Sequence, residues 1–301
     1  MSVVKVGGLL GLALLAACGH GASAGAATGD SAVMTARRAR IDSALADSTG
    51  NPDKPIALWI MPEQLKELSG LALTGNGRLL AHGDEQGRVF EIDYKSGLIV
   101  KKFTVGTPRV QGDFEAITTI GDTVLLLTSD GKLFRFLEGA DKTAVPFTMT
   151  NTGLGAECEF ESMTYDAAHR TLLLACKTVH DKALRDAVVI FRVPVDSIGD
   201  VAAQKANALR IPMSEVTESV GWKTFHPSDI AIDPANGNYL LVGSIEKGLL
   251  EVTPAGAVVS VRELPKGHEQ AEGLAITSDH ILIIGDEAKQ DAARLTLYRR
   301  P

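Results

Sequence analysis

Five short phrases decide how this chain is read: Leu68-Ser-Gly-Leu-Ala-Leu73, Phe114-Glu-Ala-Ile-Thr-Thr119, Phe160-Glu-Ser-Met-Thr-Tyr165, Pro227-Ser-Asp-Ile-Ala-Ile232 and Ala271-Glu-Gly-Leu-Ala-Ile276. With Ser69, Glu115, Glu161, Ser228 and Glu272 taken as equivalent, the spacings are 46, 46, 67 and 44 residues. A period of about 40–50 residues marks a repeat architecture, because one such unit cannot bury its apolar face alone. The long interval holds polar stretches at 181–186 and 196–207, which read as loops inserted into one unit.

Each phrase is followed by the same order of β-rich runs. A second run lies at 78–82, 123–128, 171–176, 239–243 and 280–285, and a third at 88–93, 132–136, 187–193, 248–252 and 294–299. Gly, Asp and Asn turns separate them, which is a strand pattern rather than a helical one. Four units offer a fourth run, at 99–105, 144–149, 209–213 and 258–264. The last unit has none, but a spare strand, Pro55-Ile-Ala-Leu-Trp-Ile-Met61, precedes the first unit. Pairing it into the last unit closes a ring and removes the open edge. The expected fold is all-β: a five-bladed β-propeller with the N-terminal strand completing blade five. Six blades, with a degenerate one inside the long interval, is the alternative.

The segment before the repeat reads differently. Lys5 precedes an apolar run from Val6 to Ala17, which has the plan of a signal peptide and is too short to span a membrane as a mature helix. Leu15-Ala16-Ala17-Cys18 matches a bacterial lipobox, so Cys18 is the expected lipidation site. Two or three acyl chains at about 0.8 kcal/mol per buried methylene hold a protein firmly on a bilayer. Gly19 is not the Asp that retains lipoproteins at the inner membrane, so the expected address is the outer membrane, facing the periplasm. Residues 19–54 are rich in Ala, Gly, Ser, Thr and Asp and are expected to form a flexible tether, with Arg37, Arg38 and Arg40 on a short solvated helix at most. The domain plan is therefore 1–18 leader, 19–54 tether and 55–301 propeller.

The chain has 301 residues, is 45% hydrophobic and 22% charged, and carries a formal charge of −7. This acidic balance, with no long Lys/Arg run, argues against nucleic acid as a partner. A monomer bearing a ligand or an envelope partner is the expected state. Cys158 and Cys176 both fall in the third unit. Export permits a disulfide between them. Their diagonal register leaves two free cysteines as the alternative.

The phrases at 68–73 with 79–93 (LLAHGDEQGRVFEID), 113–118 with 121–136, 157–177 (ECEFESMTYDAAHRTLLLACK) and 271–276 with 281–287 together resemble the SdiA-regulated (YjiK-like) family of bacterial β-propeller lipoproteins. The resemblance covers 58–301. It implies a propeller in the cell envelope with a bound calcium ion and no established reaction. The chain departs from that pattern at Ala116 and Ser162, where Gly is usual, and at Gly83, where Asn is usual.

Propeller geometry places the start of each first strand and the end of each second strand on one face. That rim collects Glu115, Glu161 and Glu272 with Asp84, Asp130 and Asp286 as candidate metal ligands, and His82, Glu85, Lys177, His226 and Glu287 as candidate ligand-binding residues. Three inward carboxylates at one level repel, so at least one pKa is expected to rise unless a cation compensates. Oxygen donors without a zinc-type Cys/His pairing favour calcium. The alternative is that each glutamate merely bonds backbone amides between blades. No nucleophile elbow or phosphate loop is present. A ligand-binding protein therefore leads over a calcium-dependent hydrolase of a small phosphoester or lactone.

Overall fold

The computed structural model describes residues 24–47, 51–196, 201, 203–289 and 291–300. The leader and Cys18 lie outside them. The chain forms a five-bladed β-propeller. Blade one is Leu68–Leu73, Leu79–Gly83, Arg88–Asp93 and Leu98–Val105. Blade two is Phe114–Ile120, Thr123–Thr128, Lys132–Leu137 and Thr148–Asn151. Blade three is Cys158–Asp166, Thr171–Val179, Ala187–Pro194 and Asn207–Pro212. Blade four is Asp229–Ile232, Tyr239–Gly243, Gly248–Val252 and Val258–Glu263. Blade five is Ala271–Ile276, Ile281–Asp286 and Arg294–Arg299, completed by Ala57–Ile60 from the start of the chain. The long repeat interval is loop within blade three and before blade four, as the polar stretches imply.

The first strands touch one another in sequence around the axis, and that of blade five touches that of blade one, so the ring is closed. Packing explains why the second strands read as unbroken apolar runs. Thr123–Thr128 and Ile281–Asp286 are buried on both faces, because each blade is covered by its two neighbours. Five hydrophobic clusters result, one at each junction of adjacent blades. The closing junction holds Leu68, Leu71, Ile283 and Leu295, all buried. Each such side chain contributes about 1.5–3 kcal/mol on leaving water. Polar clamps reinforce neighbouring junctions. Arg300 donates to Asp233 at 2.9 Å and to Glu251 at 2.8 Å, tying the end of the chain to blade four.

Two expectations are corrected. The run 144–149 is not one strand. Ala144–Val145 adds in parallel to the outer edge of blade one, and Thr148–Asn151 closes blade two. Pro146, which has no backbone N–H, stands at the break. Nor is 19–54 a tether throughout. Ala24–Ala46 is a helix, and its Ile41 is completely buried in the closing junction, with Leu45 beside it. Arg37 donates to the Ser96 carbonyl at 2.6 Å and stacks over Trp59, Arg38 pairs with Asp93 at 3.0 Å, and Asp42 pairs with Lys95 at 2.8 Å. The segment is too poor in apolar residues to fold alone, and its buried contacts are with the closing junction. No helix among the described residues is long and apolar enough to cross a membrane.

Candidate functional site

The repeated phrase has a structural cause. In four blades the strand register shifts within it, between Leu68 and Gly70, Phe114 and Ala116, Phe160 and Ser162, and Ala271 and Gly273. Ser69, Glu115, Glu161 and Glu272 are therefore the extra residues of β-bulges. A bulge leaves one residue unpaired and re-aims its side chain. In blade four, Asp229 pairs with Val242 while the Ser228 amide also donates to the Val242 carbonyl, at 2.8 Å. The bulge thus recurs in four blades, and blade four begins with a related irregularity at Ser228, all on the face where first strands begin.

Three of these positions build an acidic mouth. Glu161 is buried, and its carboxylate accepts a hydrogen bond from the Lys177 ammonium, which projects from the second strand of the same blade. Lys177 also acts favourably on Glu115 and Glu272. The Glu115 pKa is pushed up to about 8 by burial, by the charge of Asp113 with which it shares a hydrogen bond, and by Glu272. That of Glu272 is pushed up to about 7 by burial and by Glu287. Gln270 donates to Glu272 at 2.9 Å and also to Glu287, whose own pKa is raised, chiefly by burial. Asp84 completes the rim. Burial, Glu67 and Glu287 push it up to about 6. The rise that mutual repulsion predicts is thus present, and the three glutamates, 157 positions apart at the extremes, face one lysine.

Among the described residues no group of three or more His, Cys, Asp or Glu side chains could hold a metal ion. The cation that faces the three glutamates is the Lys177 ammonium. Two expected ligands are engaged elsewhere. Asp130 accepts from Thr128 at 2.6 Å and pairs with Lys132, on an exposed turn. Asp286 is buried and accepts from His268 at 2.7 Å, and His268 in turn meets the Tyr298 hydroxyl at 2.8 Å.

Of the expected ligand-binding residues, Lys177 and Glu287 lie in the mouth and Glu85 lines a separate cleft beside blade one. His226 is held by Glu246 at 2.7 Å. His82 is fully buried beneath the rim. Its Nδ1 bonds the Gly83 carbonyl at 3.0 Å, its Nε2 has no partner, and burial pushes its pKa down to about 4, so it is a neutral ring. Gly70 is required beside it, because a Cβ there would stand 2.6 Å from Nε2. At the other end of the axis the five first strands enclose a cavity of ≈ 170 Å³, lined by Leu71, Ile117, Tyr165, Ile230 and Leu274 among others.

Asp229 was not singled out by the sequence, although it breaks the phrase, standing where the other units have Gly, Ala or Ser. It is fully buried and accepts the amides of Ile230 at 2.8 Å, Leu274 at 2.6 Å and Leu71, linking blades four, five and one. Burial drives its pKa well above the usual carboxylate range. A disulfide joins Cys158 and Cys176, with the Cα atoms 5.7 Å apart. It spans the bulge that carries Glu161, where the register shifts twice.

Comparison with known proteins bears on the fold. No family model matches the chain, and no curated protein matches its sequence. Among solved structures, the glutaminyl cyclase of Myxococcus xanthus superposes with a TM-score of 0.54 at 14% identity, covering 81% of this chain and 94% of that one. A luciferin-regenerating enzyme superposes with a TM-score of 0.50 at 8% identity, covering 81% and 95%. At such identities the likeness establishes the shared propeller fold and no shared chemistry.

Proposed function

We propose that this chain is an envelope lipoprotein of the SdiA-regulated type, anchored through Cys18, whose propeller captures a small ligand bearing an organic ammonium group at the channel mouth. The observation that carries the reading is the convergence of Glu115, Glu161 and Glu272 on Lys177. Glu287, Asp113 and Asp84 add to the acidic side, so carboxylates outnumber the one ammonium. Glu161 is already balanced by Lys177. Glu115 and Glu272 hold their protons into the neutral range because burial and neighbouring carboxylates disfavour their charge, and Lys177 only partly offsets this. An incoming ammonium supplies that charge, and both acids ionise against it. The disulfide and the signal-peptide pattern agree with an oxidising compartment outside the cytoplasm.

Binding of this kind releases protons. Calorimetry of the full chain with 1,3-diaminopropane as probe, at neutral pH in buffers of different ionisation enthalpy, is expected to give a buffer-dependent heat that E115Q reduces and E161Q with E272Q abolishes. Binding without proton release, or binding unchanged in those variants, overturns the reading. Calcium serves as the opposing probe. Millimolar calcium is expected to leave melting unchanged, and a calcium-dependent rise in Tm lost in E161Q would replace the ammonium reading with a metal one. Replacing Cys18 by Ala is expected to move the protein from the membrane to the soluble fraction.

A further inference from the structure

Lys177 owes its place to a second bulge. In blade three the register shifts twice, between Glu159 and Phe160 and again between Phe160 and Ser162. Glu159 pairs with Thr178, Phe160 with Cys176 and Ser162 with Ala175. Glu161 is therefore the extra residue of the first strand, and Lys177 is the extra residue of the second. Each bulge turns its unpaired side chain out of the ladder, and the two side chains meet as the ion pair of the mouth. In blades one, two and five the second strand ends level with the bulge, at Gly83, Thr128 and Asp286. In blade three it runs on to Val179, which pairs with Cys158. The residues that follow the strand in those three blades, Asp84, Ser129 and Glu287, stand outside any strand, whereas Lys177 is held inside one.

Two opposed bulges leave this extension poorly tied by its own ladder, because each one breaks the run of paired residues. The Phe160–Cys176 pair alone separates them. The Phe160 amide donates across the blade boundary instead, to the Ser129 carbonyl at 2.9 Å. The Cys158–Cys176 disulfide crosses this gap. Cys176 immediately precedes Lys177, and Cys158 opens the strand that carries Glu161. Both half-cystines are buried in the cluster between blades two and three, so the tie is fixed in the core. We propose that the Cys158–Cys176 disulfide is the positioning element of the channel mouth, holding the two opposed bulges together so that the Lys177 ammonium stays on Glu161. With the mouth as the working site proposed for the chain, the cross-link sets how many carboxylates an incoming ligand finds unpaired. It also keeps the lysine charge near Glu115 and Glu272, where it opposes the rise of both pKa values. Without the bridge the strand end frays, and Lys177 moves into water with it.

The test uses the full chain without ligand, so its failure is distinct from failure of the ammonium reading. It compares the intact protein, the protein reduced by an excess of a dithiol, and the C158A/C176A variant. In the reduction, two electrons and two protons pass to the bridge, and the dithiol closes to its own disulfide. The variant covers a bridge too buried for the reductant to reach. All three are held at a temperature where circular dichroism shows a folded propeller. Trace acylation with acetic anhydride, read by mass spectrometry, is expected to label Lys177 roughly fivefold faster once the bridge is gone, because the ion pair disfavours the reactive free amine. Lys142, which is exposed, is expected to keep its rate. Carbon NMR of isotope-labelled glutamate is expected to show the Glu115 acid dissociation constant falling about threefold as the lysine charge leaves. In K177M, loss of the bridge is expected to leave Glu115 unchanged, which a merely stabilising cross-link would not require. Reoxidation is expected to restore both readouts. Unchanged Lys177 labelling in the folded, bridge-free protein, or a Glu115 response that persists in K177M, overturns the proposal.

Discussion

Blades one and four place serine at the bulge, and blades two, three and five place glutamate. The difference separates scaffold from site. Ser228 donates its hydroxyl to the Ala271 carbonyl at 2.6 Å and lies 3.2 Å from that of Val242, stitching blade four to blade five. Ser69 donates to the Glu67 carbonyl at 3.2 Å. Asp229, which follows Ser228, takes three amides. These groups satisfy the backbone at the axis. The glutamates do not. Their partners are Lys177, Asp113 and Gln270, all of them side chains. Bonding backbone amides between blades, the alternative expected of the glutamates, is the work of Asp229 instead. One backbone device thus carries a structural load in some blades and leaves the side chain free for chemistry in others.

The sharpest break of this comparison is Asp229→Ala. It strips three buried amides of their acceptor, at roughly 1–3 kcal/mol each before relaxation. A loss of about 4 kcal/mol is expected in urea unfolding, with Tm lower by about 8–16 °C for a domain this size. Equal stability in D229A and the wild type would remove the structural half of the contrast. Next comes reduction of Cys158–Cys176. Its loop closes over 18 residues around the Glu161 bulge, and such a cross-link contributes about 3 kcal/mol. Melting with and without reductant measures it. Ser228→Ala should cost about 1 kcal/mol, the net value of a lost hydrogen bond.

The glutamates are expected to behave in the opposite sense. Glu115 and Glu272 have folded pKa values of about 8 and about 7, above the ordinary glutamate value of 4.5. The folded chain therefore binds their protons more tightly than the unfolded chain does. Their contribution is full below about pH 4.5 and drains as pH rises through about 7 and about 8. Denaturant midpoints are expected to fall between pH 5 and pH 8, and E115Q is expected to flatten that slope. A slope unchanged in E115Q points to other groups. At Glu161 the two readouts separate. E161Q removes one partner of a buried ion pair and is expected to lower stability by about 1–3 kcal/mol, less than the full cost of a broken buried pair because Lys177 is partly exposed and reaches other carboxylates, and to weaken diamine binding. A loss as large as that of D229A with diamine binding unchanged would make Glu161 a scaffold residue like Asp229.

Much of this was legible along the chain because a repeat is written in the chain. The 46-residue period, the missing fourth run after 294–299 and the spare run at 55–61 favour five blades and a closed ring. Convergence of Glu115, Glu161 and Glu272 follows from the same period, since equivalent positions of a closed ring share a level. Partner choice does not follow. Lys177 was one of several charges at second-strand ends, and only its reach across the bulge makes it the centre, while Asp130 and Asp286 at comparable positions turn to Lys132 and His268.

Sequence alone therefore favoured five blades over six and determined the strand that seals them and the face on which the acids gather, because periodicity and strand polarity are local and additive. Tertiary structure alone decided that Lys177 is the cation facing the acids, that Asp229 binds the axis together, that 144–149 divides between two blades, and that the helix Ala24–Ala46 docks on the closing junction. Each of those depends on which side chains meet across blade boundaries, where burial and charge act between residues tens to hundreds of positions apart.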